Sequence, residues 1–226
     1  MVFIIGHRGA CGYEPENTLR SFRKALELKV DMVELDVHKC KSGELVVIHD
    51  DRLERTTNGN GYVGQKILKE LKSLDAGKGE TIPTLQEVFD FVDRKAKIAI
   101  EIKDGKAVKP LAKLIKEYTK RGWNYNDFIA ISFNHYWLKE LKRIQPKIRV
   151  GALLMGIPIE YSGFAKKINA DAVLLASHWV NREYVEDAHR RNLKVIVWTV
   201  NEEDEIARMK KLGVDGIASN YPDKVK

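Results

Sequence analysis

The chain has 226 residues, 44% hydrophobic and 31% charged, enough for one substantial core and short for two domains of ordinary size. Its formal net charge of +7 comes from 39 Lys and Arg against 32 Asp and Glu, but the two signs are interspersed, which reads as a solvated surface rather than a nucleic-acid face. Two cysteines, Cys11 and Cys40, make no disulfide framework, and there is no leader-like segment or run of about 18 apolar residues, so a cytoplasmic protein with no nucleic-acid partner and no stable membrane insertion is expected.

In chain order, the apolar run Val2 to Ile5 leads directly into Gly6, His7, Arg8 and Gly9. Thr18 to Leu28 reads as an amphipathic helix and Met32 to Val37 as a second strand. The next segment breaks the rhythm. Leu45 to Ile48 is a short strand closing on His49, and Thr56 to Gly64 is rich in turn residues. Residues from about 51 to 82 read as a short insertion on the loop after the second strand, folded over one end of the molecule. Thr84 and Glu87 have capping-box spacing, which starts a helix over Leu85 to Arg94. Strands are then predicted at Ile98 to Ile102, Phe128 to Ile131, Arg149 to Leu154, Ala172 to Leu175, Val195 to Thr199 and Val214 to Ala218. Helices are predicted between them at Val108 to Arg121, His135 to Ile144, Ile159 to Ile168, Asn181 to Arg191 and Glu202 to Leu212. This alternation predicts an α/β fold, a TIM (β/α)8 barrel forming a single domain over residues 1–226. An open doubly wound sheet shares the alternation, but its GxGxxG is missing after the first strand.

Strands of a parallel barrel are covered on both faces and should be almost continuously apolar. Two are not. In VELDV, Glu34 and Asp36 alternate with Val33, Leu35 and Val37; in IAIEIK, Glu101 and Lys103 alternate with Ile100 and Ile102. Period two aims these charges into the barrel, where unpaired ionised groups are costly. Three carboxylates exceed what Lys103 can compensate, and all-oxygen ligands fit one hard divalent cation, Mg²⁺ or Ca²⁺. The alternative is a buried salt-bridge network of Glu34, Asp36, Lys103 and Arg8. His7 and His49 close apolar runs at the same end, where barrel active sites lie. Two imidazoles, a cation site, Arg8 and Lys103 suit phosphoester cleavage, with one His removing a proton and the other supplying one. His38, His135, His178 and His189 are expected to be solvated and receive no role.

With HRGACGYEPENT, ELDVHKCKSGELVVIHDD, PTLQEVF, AIEIK, WTVN and GVDGIASNYP in this order, the chain resembles the glycerophosphodiester phosphodiesterases over essentially its whole length. The resemblance implies a TIM barrel with a small inserted segment that hydrolyses glycerophosphodiesters to sn-glycerol 3-phosphate and an alcohol. It further implies metal ligands at Glu34, Asp36 and Glu101, acid/base histidines at His7 and His49, phosphate contacts at Arg8 and Lys103, and a substrate-side aromatic at Trp198. The substrate partner is then a small glycerophosphodiester. A lysophospholipase D-like enzyme acting on lipid head groups is the alternative, since the chemistry at phosphorus is the same. Ser219 and Asn220 stand where members often have Thr and Asp, a difference expected to leave catalysis unaffected.

Overall fold

The computed structural model describes residues 2–226. Eight parallel strands close into a barrel: β1 (Phe3–Gly6), β2 (Met32–Lys39), β4 (Lys97–Ile102), β5 (Phe128–Ser132), β6 (Arg149–Leu154), β7 (Ala172–Ala176), β8 (Lys194–Trp198) and β9 (Gly216–Ser219). β1 closes the ring by pairing with both β2 and β9. A ninth strand, β3 (Leu45–Val47), is antiparallel to the end of β2 and forms a hairpin with it.

Helices α1 (Leu19–Glu27), α3 (Leu85–Val92), α4 (Val108–Thr119), α5 (His135–Ile144), α6 (Gly163–Lys166), α7 (Arg182–Arg190) and α8 (Glu203–Leu212) fill the crossovers. Their starts follow local chemistry. Thr18 caps α1 by accepting from the Ser21 N–H, and Thr84 and Glu87 form the reciprocal capping box of α3, which satisfies donors that a helix start leaves unpaired. The expected helix over Ile159 to Ile168 contracts to the four residues of α6. Pro158 opens a turn whose carbonyl accepts from Tyr161 N–H, and Tyr161 sits at φ +45°, so the helix cannot begin before Gly163.

The two faces of each strand separate cleanly. Val33, Leu35 and Val37 of β2 and Ile98, Ile100 and Ile102 of β4 pack outward in the large cluster under the helices. Ile5, Met32, Ala99, Ile129, Leu174 and Ile196 belong to a smaller cluster inside the barrel. A third cluster, with Val46, Ile48, Leu53, Val63, Leu71 and Ile82, gives residues 45–82 an apolar centre of their own. Its helix α2 (Leu68–Lys72) is too short for periodicity to announce.

Candidate active site

Parity along β2 carries Met32, Glu34 and Asp36 to the barrel interior, and parity along β4 carries Ala99 and Glu101 there with Lys103 just beyond. The register sets Asp36 directly beside Glu101. Glu34 and Asp36 are buried and Glu101 is nearly so, and one oxygen from each lies within 4.8 Å of the others. Burial, reinforced by Asp36 and Glu101, holds the Glu34 carboxyl well above the usual range. Burial and Asp36 together push Glu101 up to about 7.

Two cations partly offset this repulsion. Lys103 Nζ donates to Glu101 Oε1 at 2.9 Å and lies 3.8 Å from Asp36 Oδ1. Arg8 places Nε 3.4 Å from Asp36 Oδ2, donates to Glu16 Oε1 at 2.8 Å, and gives its backbone N–H to Glu34 Oε2 at 2.8 Å. Arg8 is at φ +50° and Gly9 at φ +86°, where a Cβ on Gly9 would stand 2.4 Å from Ser21 Oγ of α1. The close approach that makes glycine necessary here is therefore to the chain's own helix.

Arg55, from residues 45–82, bridges Glu16 and Asp50 with hydrogen bonds of 2.6 to 3.0 Å. Five carboxylates at the barrel mouth (Glu16, Glu34, Asp36, Asp50 and Glu101) thus face three cations (Arg8, Arg55 and Lys103). With all five ionised, two negative charges would stay unmatched by these side chains. Asp36 Oδ1 is buried without a hydrogen-bond partner, a position that a cation would satisfy. Of the salt-bridge network weighed as the alternative, Asp36 pairs with Arg8 and Lys103, but Glu34 meets only the Arg8 backbone N–H and Asp36 Oδ1 keeps no hydrogen bond.

The two imidazoles flank the carboxylates, His7 at the end of β1 and His49 against Lys103 after β4. Asn220 Oδ1 lies 2.7 Å from His7 Nδ1. A carboxamide oxygen only accepts, so His7 donates from Nδ1 and keeps its lone pair on Nε2. Burial and the neighbouring Arg8 lower His7 to about 4. The Cys11 thiol donates to the same Asn220 oxygen at 3.0 Å, and burial pushes that thiol up to about 12. His49 differs. Its Nδ1 is 2.5 Å from Asp50 Oδ1, and its Nε2 lies 3.1 Å from Lys103 Nζ. Hydrogen bonds from Arg55 hold Asp50 well below the usual carboxylate range.

The opposite wall of the pocket is apolar, formed by Ile131, Leu153, Leu174, Ile196, Phe133 and Trp198. Phe133 meets Trp198 edge to face at 5.6 Å, and Trp198 Nε1 is a buried donor without a protein partner. All eight residues singled out in the sequence gather at this end of the barrel. Glu16, Asn17 and Arg55 join them without having been marked, as does Asn220, noted in the sequence only as a departure from the family pattern. Asn17 donates to Asp36 Oδ2 at 2.9 Å. Asn220, one of the two residues that differ from the usual family pattern, touches His7 directly. His38 is buried rather than solvated, and its Nε2 pairs with the His49 carbonyl at 3.1 Å. His135 stacks on Phe164 and bonds the Leu153 carbonyl.

The sequence matches the family model described as the glycerophosphoryl diester phosphodiesterase family over residues 7–224. The chain belongs to that family. It is 39% identical to a glycerophosphodiester phosphodiesterase of Caldanaerobacter subterraneus, with 97% of this chain and 94% of that one aligned. It is 28% identical to human lysophospholipase D over 98% of this chain and 84% of the relative. A solved phosphodiesterase of Oleispira antarctica, in complex with the product sn-glycerol-3-phosphate, superposes with a TM-score of 0.90 at 30% identity, covering 99% of this chain and 94% of that one. The fold is the TIM barrel of these enzymes, and the protein is a phosphodiesterase of the glycerophosphodiester class. Among the described residues no helix is long and apolar enough to cross a membrane.

Proposed function

We propose that this enzyme hydrolyses glycerophosphodiesters to sn-glycerol 3-phosphate and an alcohol, with His7 as general base, His49 as general acid and a divalent cation held by Glu34, Asp36 and Glu101. The observation that carries the assignment is the unequal fastening of the two imidazoles, His7 by a neutral carboxamide and His49 by a carboxylate. An amide acceptor fixes the neutral His7 tautomer, whereas the Asp50 carboxylate holds the His49 ring through Nδ1 and leaves Nε2 to carry the proton an acid transfers. The cation, Mg²⁺ or Ca²⁺, supplies charge neutralisation at the phosphate and a fixed point for its oxygens.

Arg8 and Lys103 hold the remaining phosphate charge. Trp198 Nε1–H, which has no protein acceptor, suits an oxygen of the bound diester. His7 Nε2 takes the proton from the glycerol hydroxyl beside the esterified carbon. That oxygen bonds to phosphorus as the bond to the alcohol breaks, and His49 protonates the departing alcohol. An oriented neighbouring hydroxyl reaches an effective molarity of about 10⁵ M or more, which favours it over water for this step. Water then opens the cyclic phosphate by reversal: it gives a proton to His49, and His7 returns its proton to the glycerol oxygen.

Incubation of pure protein with glycerophosphocholine, glycerophosphoethanolamine and a lysophospholipid, each with and without chelator, tests the assignment through its products. From the two glycerophosphodiesters, release of sn-glycerol 3-phosphate that stops on chelation is expected, whereas the lysophospholipid would yield lysophosphatidate. A second substrate class, lysophospholipids, is favoured by the apolar wall opposite the carboxylates and by the lysophospholipase D relative.

A further inference from the structure

Among the described residues, six of the eleven exposed large hydrophobic side chains are Phe133, Tyr136, Met155, Ile157, Ile159 and Trp179. They follow β5, β6 and β7, three adjacent strands of the barrel, and so share the mouth that holds the catalytic groups. Met155 is 63% exposed and Ile159 completely so. The loops concerned, residues 133–134, 155–162 and 177–181, contain one formally charged side chain, Glu160, in fifteen positions. The chain's average of 31% would give about five, in keeping with a largely charged natural surface. The other half of the mouth is the reverse, with five charged side chains in the six residues from Asp50 to Arg55. The apolar sector also runs into the pocket, since Phe133 both stands exposed at the rim and packs on Trp198. The pocket lining ends at Phe133; Met155, Ile157, Ile159 and Trp179 lie beyond it.

We infer that this sector seats the barrel mouth on a lipid surface, which presents lysophospholipids of a micelle or bilayer to the catalytic pocket. The inference rests on the glycerophosphodiesterase assignment and names where that site meets its substrate. Ile, Met, Tyr and Trp are side chains that enter the interfacial layer favourably. Glu160, the one acid in these loops, lies within electrostatic reach of Arg191. The net charge of +7 adds attraction to an anionic surface.

The test uses the full chain, flotation with vesicles of phosphatidylcholine and phosphatidylglycerol, and turnover of lysophosphatidylcholine on either side of its critical micelle concentration. Glycerophosphocholine turnover is measured in parallel. The wild type is expected to float with the vesicles and to gain tenfold or more in turnover above the critical concentration. The double variant Ile157→Glu, Ile159→Glu should lose at least tenfold in vesicle affinity and most of that gain, with glycerophosphocholine turnover unchanged. Phe3→Ser, which removes an exposed aromatic at the other end of the barrel, should behave as wild type. Intact glycerophosphocholine turnover without vesicle binding, or equal binding by the double variant, overturns the inference and leaves the activity assignment standing. A dimer that the double variant dissolves, without vesicle binding, overturns it in favour of a second copy of the chain. Vesicle binding without diester turnover instead overturns the activity assignment alone.

Discussion

Asn220 accepts a hydrogen bond from His7 Nδ1 at 2.7 Å across 213 positions of sequence. Asn201 fixes this acceptor in turn, since its Oδ1 receives the Asn220 backbone N–H at 2.9 Å and the Ser219 hydroxyl at 3.1 Å. The His7 ring is thus oriented from the end of the strand that closes the barrel.

Asn220→Ala should lower kcat by roughly 10-fold to 100-fold by freeing the His7 tautomer. Asn220→Asp should retain orientation but stabilise the imidazolium, which raises the His7 pKa from about 4. Since a base works in its neutral form, the acid limb of the kcat/KM profile must then move to higher pH. An acid limb that stays in place would show that His7 is not the titrating base.

For the histidines themselves, His7→Ala and His49→Ala are each expected to cost roughly 10² to 10⁴ in kcat with an unchanged circular dichroism spectrum. The double variant should lose far less than the product of the single losses. Multiplying losses would mean independent roles. His135→Ala, placed away from the mouth chemistry by its Phe164 stacking and its bond to Leu153, should lower Tm while leaving kcat nearly unaltered.

Glu101, raised from 4.5 to about 7 by burial and Asp36, makes cation-free stability depend on pH. A raised carboxyl contributes stability below its unfolded value, and this is lost as pH climbs through about 7. Without divalent ions, Tm should therefore rise as pH falls from 8 to 6.5. Below 6.5 the depressed His7 acts oppositely, because the unfolded chain takes that proton first. Mg²⁺ or Ca²⁺ should raise Tm most at pH 8. Glu101→Gln should flatten the slope and shrink the metal-induced shift, and turnover that survives exhaustive chelation would contradict the ligand assignment.

A substrate analogue lacking the hydroxyl beside the esterified carbon should be hydrolysed far more slowly than the parent diester. With His49→Ala, a cyclic phosphate should be visible by phosphorus NMR when a diester with a good leaving group is supplied. Equal kcat/KM for the deoxy analogue would assign the first attack to water.

What could be read in the sequence was what depends on neighbours in sequence. Glu34 with Asp36, and Glu101 with Lys103, announce an inward face because period two is a local property of a strand. His7, Arg8 and His49 were visible because apolar runs end on them. Asn220, Asn17 and Arg55 were not, because their roles exist only through contacts made by the folded barrel, and an Asn or Arg in a loop carries no periodic signal. The same limit applies to His38. Its place after alternating residues of β2 resembled a solvated strand end, until the β3 hairpin covered it.

The double pairing of β1 has a consequence for the life of the molecule. During synthesis the residue that would remove the proton emerges 213 positions before the residue that orients it. A nascent or C-terminally clipped chain carries His7 without Asn220 and β1 without β9. Diester cleavage is thereby tied to ring closure, and partial chains are expected to be silent rather than weakly active.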